Sequence, residues 1–114
     1  MARTAAGDVD GAIADYSKLI ELAPQSAEGY YNRGEARVLK GDAEGSVSDF
    51  NRAIELDSQM ASAYASRGLA RLRLRQDEDA RKDFDRALEL NKDLKDWLDQ
   101  SIRYVKYQRE KKGK

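Results

Sequence analysis

Apolar residues recur along this chain at helical spacing, in runs broken by turn signals. Val9, Ile13, Tyr16 and Ile20 form the first stripe, and Pro24 ends that helix just past Leu22. Ser26 is placed to cap a second helix over 27–40, with Tyr30, Gly34 and Val38 along one face. Gly41-Asp42 then makes a turn: glycine accepts the left-handed conformation past a helix end, and aspartate accepts N–H bonds at the next start. Gly7-Asp8 reads the same way. A third helix over 43–56 turns Val47, Phe50 and Ile54 inward, and Asp57-Ser58 closes it. Fourth and fifth helices are expected over 61–74 and 77–90. Their turn, Arg75-Gln76, lacks the glycine, so Arg75 must find another geometry or bear modest strain. From Asp93 a longer helix is expected to about Arg109, striped by Leu94, Leu98, Ile102 and Val105. Trp97, Tyr104 and Tyr107 fall off that stripe.

The helices come in repeating pairs. Residues 27–60 and 61–94 are identical at 13 of 34 positions, and the second half of the unit recurs once more over 7–22. A period of this length signals stacked helix pairs, none of which buries its own apolar face alone.

Composition sharpens this picture. Charged residues are 37% of the 114 and aromatics 8%, which suits units that share thin interfaces better than one spherical core. Net charge is zero but unevenly placed: residues 1–60 carry 6 Lys/Arg against 11 Asp/Glu, and 61–114 carry 15 against 10. Such polarity suits head-to-tail attraction or an acidic partner at the basic end. There is no cysteine and no histidine, which removes thiol chemistry, thiolate metal sites and the commonest general base. No metal site and no cofactor is expected, and no phosphate-cradling glycine loop is present. No run reaches the length of a membrane span, and residues 1–8 lack a signal-peptide core. A cytoplasmic protein is the default expectation.

The unit resembles the tetratricopeptide repeat. Its fourth-position aromatic is Tyr30 and Tyr64, its eighth-position glycine Gly34 and Gly68. The small residue of the second helix is Ala12, Ser46 and Ala80, followed by the aromatic Tyr16, Phe50 and Phe84 and by Ala53 and Ala87. Pro24 matches the closing proline, where Ser58 and Lys92 depart. The seventh and eleventh positions are arginine here (Arg33 and Arg37, Arg67 and Arg71) instead of leucine and tyrosine. The resemblance implies an all-α fold: a right-handed superhelical solenoid of antiparallel helix pairs, about two and a half units with a C-terminal solvating helix. The chain then reads as a single array, with a half repeat at 7–24, repeats at 27–58 and 61–92, a capping helix at 93–110 and a basic tail at 111–114.

Two departures are particular to this sequence. Arg33 and Arg67 recur beside Asp49 and Asp83, with Asp15 at the same place in the half unit, and repeated ion pairs are expected at the helix seams. The first unit begins midway, so Val9, Ile13, Tyr16 and Ile20 are expected to form an edge that a second copy, a partner or further sequence covers. At the other end Trp97 and Tyr104 replace the small residues of the internal units, as in a terminal helix lying over the last pair. The rival reading is a pair of exposed aromatics that recruit a partner.

The resemblance also implies where a ligand sits. First helices line the concave side, which points to Glu28, Tyr31, Asn32, Glu35, Val38 and Leu39. From the next unit it adds Ser62, Ala65, Ser66, Leu69, Leu72 and Arg73, with Leu69 and Leu72 as a floor. Asp99, Arg103 and Lys106 of the last helix are candidate additions. The family's chaperone-tail clamp is not expected: Asn32 matches one of its residues, but Ser62 and Ser66 stand where Lys and Arg are required. The function expected is therefore a non-catalytic scaffold that binds a protein or peptide, with no small-molecule substrate. The alternatives are self-association as a homo-oligomer through the N-terminal edge, and anion binding by the basic C-terminal half, with nucleic acid disfavoured.

Overall fold

In a computed structural model, residues 8–112 are described. They are helical throughout apart from turns, and no strand occurs among them. Contacts divide the chain into two compact units that meet at Ser58 and Gln59. The first holds α1 (Val9–Leu22), α2 (Ala27–Lys40) and α3 (Ala43–Leu56). The second holds α4 (Ala61–Arg73), α5 (Asp77–Leu90), a 3-10 turn (Lys92–Leu94) and α6 (Lys95–Lys112). Gly7 and the ends of the chain lie outside the described residues.

Side-chain caps set the starts of α2 and α3, whereas Asp8, expected to cap α1 in the same way, makes no side-chain cap bond. Ser26 Oγ accepts from the Gly29 N–H at 3.1 Å, and Asp42 Oδ1 from Gly45 N–H at 2.9 Å. Gly41 ends α2 at φ +91°, and the Asp42 N–H returns to the Arg37 carbonyl at 2.8 Å. The α4–α5 turn reproduces this geometry without glycine. Arg75 takes φ +64° and the Gln76 N–H returns to the Arg71 carbonyl at 2.8 Å. Arg75 therefore bears the strain that its place in the turn implied, about 1 kcal/mol for a side-chain-bearing residue in the left-handed region.

Each long pair closes on one glycine–phenylalanine contact. A Cβ added to Gly34 falls 2.6 Å from the Phe50 ring, and one added to Gly68 falls 2.5 Å from Phe84. Both distances are far inside van der Waals contact, so only glycine lets the helices approach this closely. Phe50 is fully buried; Phe84 is partly buried. In the second unit α6 completes the core. Leu98 packs with Ala65 and Ala87, and Val105 with Leu72 and Ala80, so α6 inserts two side chains into the seam between α4 and α5.

Candidate peptide-binding surfaces

The arginines that replace apolar family residues form two matching clusters. In the first unit Arg33 donates to Asp49 twice, Nε to Oδ2 at 3.0 Å and Nη2 to Oδ1 at 2.8 Å, and Arg37 Nη1 donates to Oδ2 at 2.9 Å. In the second unit Arg67 and Arg71 meet Asp83 at 3.0, 2.7 and 2.9 Å through the same atoms. The helix period explains the sharing: arginines four apart on one helix project from one face toward a single carboxylate. Asp49 and Asp83 are buried, so neither set of charges could be tolerated there alone. The bond to Asp49 raises the Arg33 pKa above its usual value against the opposing cost of burial. Arg33 and Arg67 thus pair as expected from their place in the repeat, and the structure adds Arg37 and Arg71 to the same carboxylates.

On α2 the surface is mixed. Glu28 and Leu39 are exposed, while Tyr31, Asn32, Glu35 and Val38 are partly buried. Tyr31 Oη donates to Glu35 Oε2 at 3.2 Å, and its ring lies 5.7 Å from that of Phe50. The phenol is thus held by the core on one side and by a carboxylate one turn away.

In the second unit the first helix is built differently. Leu69 and Arg73 lie along a shallow depression of about 290 Å³ whose far wall is Trp97, Gln100, Ser101 and Tyr104 of α6. Trp97 is 48% exposed and Tyr104 57%. Arg73 Nη1 donates to Gln108 Oε1 at 2.7 Å, and Gln108 Nε2 donates to the Tyr104 hydroxyl at 2.9 Å. Arg73 Nε is out of contact with water and has no acceptor among the described residues.

Several expectations need correction here. Leu72 does not line this depression: it is 3% exposed, packed with Val105 and Ala80, and borders a separate hollow, and Ala65 and Ser66 are buried as well. Asp99, Arg103 and Lys106 do not line the depression. Asp99 pairs with Lys95 at 3.0 Å, Arg103 is exposed, and Lys106 rims a different hollow over Leu72, Phe84 and Ile102. The cause is the seating of α6 through Leu98 and Val105, which turns residues 97, 100, 101 and 104 toward α4. Trp97 and Tyr104 consequently remain half open, although α6 does lie over the last pair. Their position off the apolar stripe was the signal in the sequence. At the N-terminal edge Val9, Ile13 and Tyr16 are partly buried and Ile20 is 9% exposed; the open apolar residues of α1 are Leu19 and Leu22.

Three family models cover most of the chain. One described as a TPR repeat matches residues 2–41, and two described as a tetratricopeptide repeat match 27–60 and 61–94. The chain belongs to the tetratricopeptide repeat family. Among solved structures, the first TPR of Spaghetti (RPAP3) bound to the HSP90 peptide SRMEEVD is 31% identical. It matches with a TM-score of 0.79 over 89% of this chain and 79% of that one. The second TPR domain of human RPAP3, in complex with the HSP70 peptide SGPTIEEVD, is 29% identical with a TM-score of 0.78, over 88% and 82%. The TPR2B domain of yeast Sti1, in a pHsp70 complex, is 25% identical with a TM-score of 0.79, over 89% and 85%. No curated protein matches this tetratricopeptide repeat chain in sequence. Among its described residues no helix is long and apolar enough to cross a membrane, and no group of three or more Asp or Glu is placed to hold a metal ion.

Proposed function

We propose that this tetratricopeptide repeat chain is a non-catalytic interaction scaffold that holds a peptide or helix from a protein partner. The surfaces used are the open face of α2 in one unit and the α4–α6 depression in the other. The observation that carries this reading is the depression itself. It joins a leucine, a guanidinium and two half-exposed aromatics, the residue types that anchor a bound chain. Tyr31 and Leu39 supply the corresponding anchors on α2. The peptide complexes of the similar domains support the class of ligand. They do not carry over the chaperone tail, because Ser62 and the buried Ser66 occupy the places where the clamp needs cations.

A peptide array probed with the wild-type chain, and with a Tyr31→Ala, Leu39→Ala double variant, tests the reading. Selected peptides are expected to bind the double variant at least fivefold more weakly where they use α2. Amidating the C-terminus of SRMEEVD, which removes the carboxylate that a clamp would hold, is expected to leave any binding of that peptide unchanged. An array on which the wild type retains nothing above background would sink the scaffold proposal.

A further inference from the structure

We propose that the α4–α6 depression reads a short motif in an extended peptide: a large apolar side chain, any residue, then an aspartate or glutamate whose carboxylate meets Arg73. The inference rests on the scaffold reading above and names the chemistry of its partner.

Arg73 differs from the other arginines of its helix in how its charge is balanced. Arg67 and Arg71 share Asp83, and elsewhere in the unit Arg81, Arg86 and Arg109 pair with Glu78, Glu89 and Asp77, while Arg75 and Arg103 are exposed to water. Among the described residues Arg73 meets only the neutral amide oxygen of Gln108, and its Nε has lost water without gaining an acceptor. A guanidinium in that state gains by receiving a carboxylate, whose two oxygens can take parallel N–H bonds and whose charge balances its own, neither of which the Gln108 amide oxygen can do. The Gln108 amide, itself bonded to Tyr104, holds the side chain beside the depression in the meantime.

The apolar half of the motif follows from Leu69 and the α6 wall. Leu69 lies one turn before Arg73 on the same face of α4, a rise of about 6 Å. Trp97 and Tyr104 stand opposite, both half exposed. In an extended peptide, side chains two residues apart share a face and are separated by about 6.5 Å. The two spacings match, so a side chain lying over Leu69 places the next side chain on that face at Arg73. Arg73 is partly buried, and a side-chain carboxylate stands clear of its own backbone by enough bonds to reach down to it. A chain-terminal carboxylate lacks that reach.

Trp97 is the chain's single tryptophan and stands in the wall, so its fluorescence reads occupancy directly. The probe is acetyl-Ser-Leu-Ser-Glu-Ser-amide, titrated against the whole chain. Controls replace Glu by Gln, replace Leu by Ala, or move the Glu next to the Leu. A saturable change in Trp97 emission is expected with the probe, and at least tenfold weaker binding with each control. Arg73→Gln is expected to weaken the probe at least tenfold while leaving the Gln control unchanged. Gln108→Glu supplies an internal carboxylate to Arg73, so it is expected to abolish the preference for Glu over Gln while circular dichroism stays that of the wild type. Equal affinity for the Glu and Gln peptides, or no saturable change with the probe, would overturn the inference. The array above separates the two levels. Peptides retained equally by wild type and Arg73→Gln remove only this motif, whereas a blank array removes the scaffold reading as well.

Discussion

The pairs α2–α3 and α4–α5 are two versions of one design that share their closing contacts while most of their other residues differ. Both close on a glycine under a phenylalanine ring, and both set two arginines on one buried aspartate with nearly equal distances. Their turns differ: Gly41 in the first, Arg75 in the second, with the same backbone bonds. Their surroundings differ more. Arg33 Nη1 reaches Ser17 of α1 at 3.1 Å, so the first pair is tied to a helix before it. The second pair takes Leu98 and Val105 from α6, a helix after it. What repeats is the packing that makes a helix pair; what does not repeat supplies the depression and Arg73 with its unsatisfied Nε. Structure-specific chemistry in this chain therefore gathers where the period fails.

The strongest way to break the parallel is through the rings. Phe50→Ala should cost about 3–5 kcal/mol, the usual range for emptying a buried aromatic site. Phe84→Ala should cost less, since Phe84 is only partly buried. Denaturant titrations of both variants give the comparison, and equal losses would show that the two pairs do not differ in core burial as described. Next come the carboxylates. Asp49→Ala and Asp83→Ala each leave two arginines unpaired, and a loss of about 3 kcal/mol is expected for each, at the low end for a broken buried pair. The guanidiniums keep some water, with side-chain exposures of 16% to 26%, which moderates the penalty. Near-equal losses would sharpen the equivalence; a loss below about 1 kcal/mol in either, typical of a surface pair, would break it. The smallest effect is at the turns. Arg75→Gly should stabilise by about 1 kcal/mol by relieving the left-handed residue. The reverse change, Gly41→Arg, should cost a similar amount. A destabilised Arg75→Gly variant on thermal melting would mean that the Arg75 side chain contributes something its backbone position does not reveal.

The helix pairs and their clusters were legible in the sequence because a period of 34 residues places equivalent residues in equivalent environments. Gly34 and Gly68, Phe50 and Phe84, Arg33 and Arg67 could be read as partners because each appeared twice at the same spacing. The site was legible only in part. Leu69 and Arg73 were identified and do line the depression. Leu72 was assigned to the same surface, but Val105 covers it. No local pattern announces that, since the covering residue comes from a helix outside the period. The face that α6 turns to α4 was misread for the same cause: continuing the repeat past Asp93 pointed to Asp99, Arg103 and Lys106, whereas packing of Leu98 and Val105 brought Trp97 and Tyr104 there.

By itself the sequence determined the helices, their pairing, the caps at Ser26 and Asp42, and the pairing of Arg33 and Arg67 with Asp49 and Asp83. All of these depend on neighbours in a helix or on residues one fixed interval away. The tertiary structure alone decided which apolar residues stay open, that Arg73 keeps a buried nitrogen without an acceptor among the described residues, and which face of the last helix meets α4. Those outcomes depend on how a non-repeating helix seats against a repeating pair. A rotation of that helix by one or two residues changes what is covered while leaving its apolar stripe unchanged.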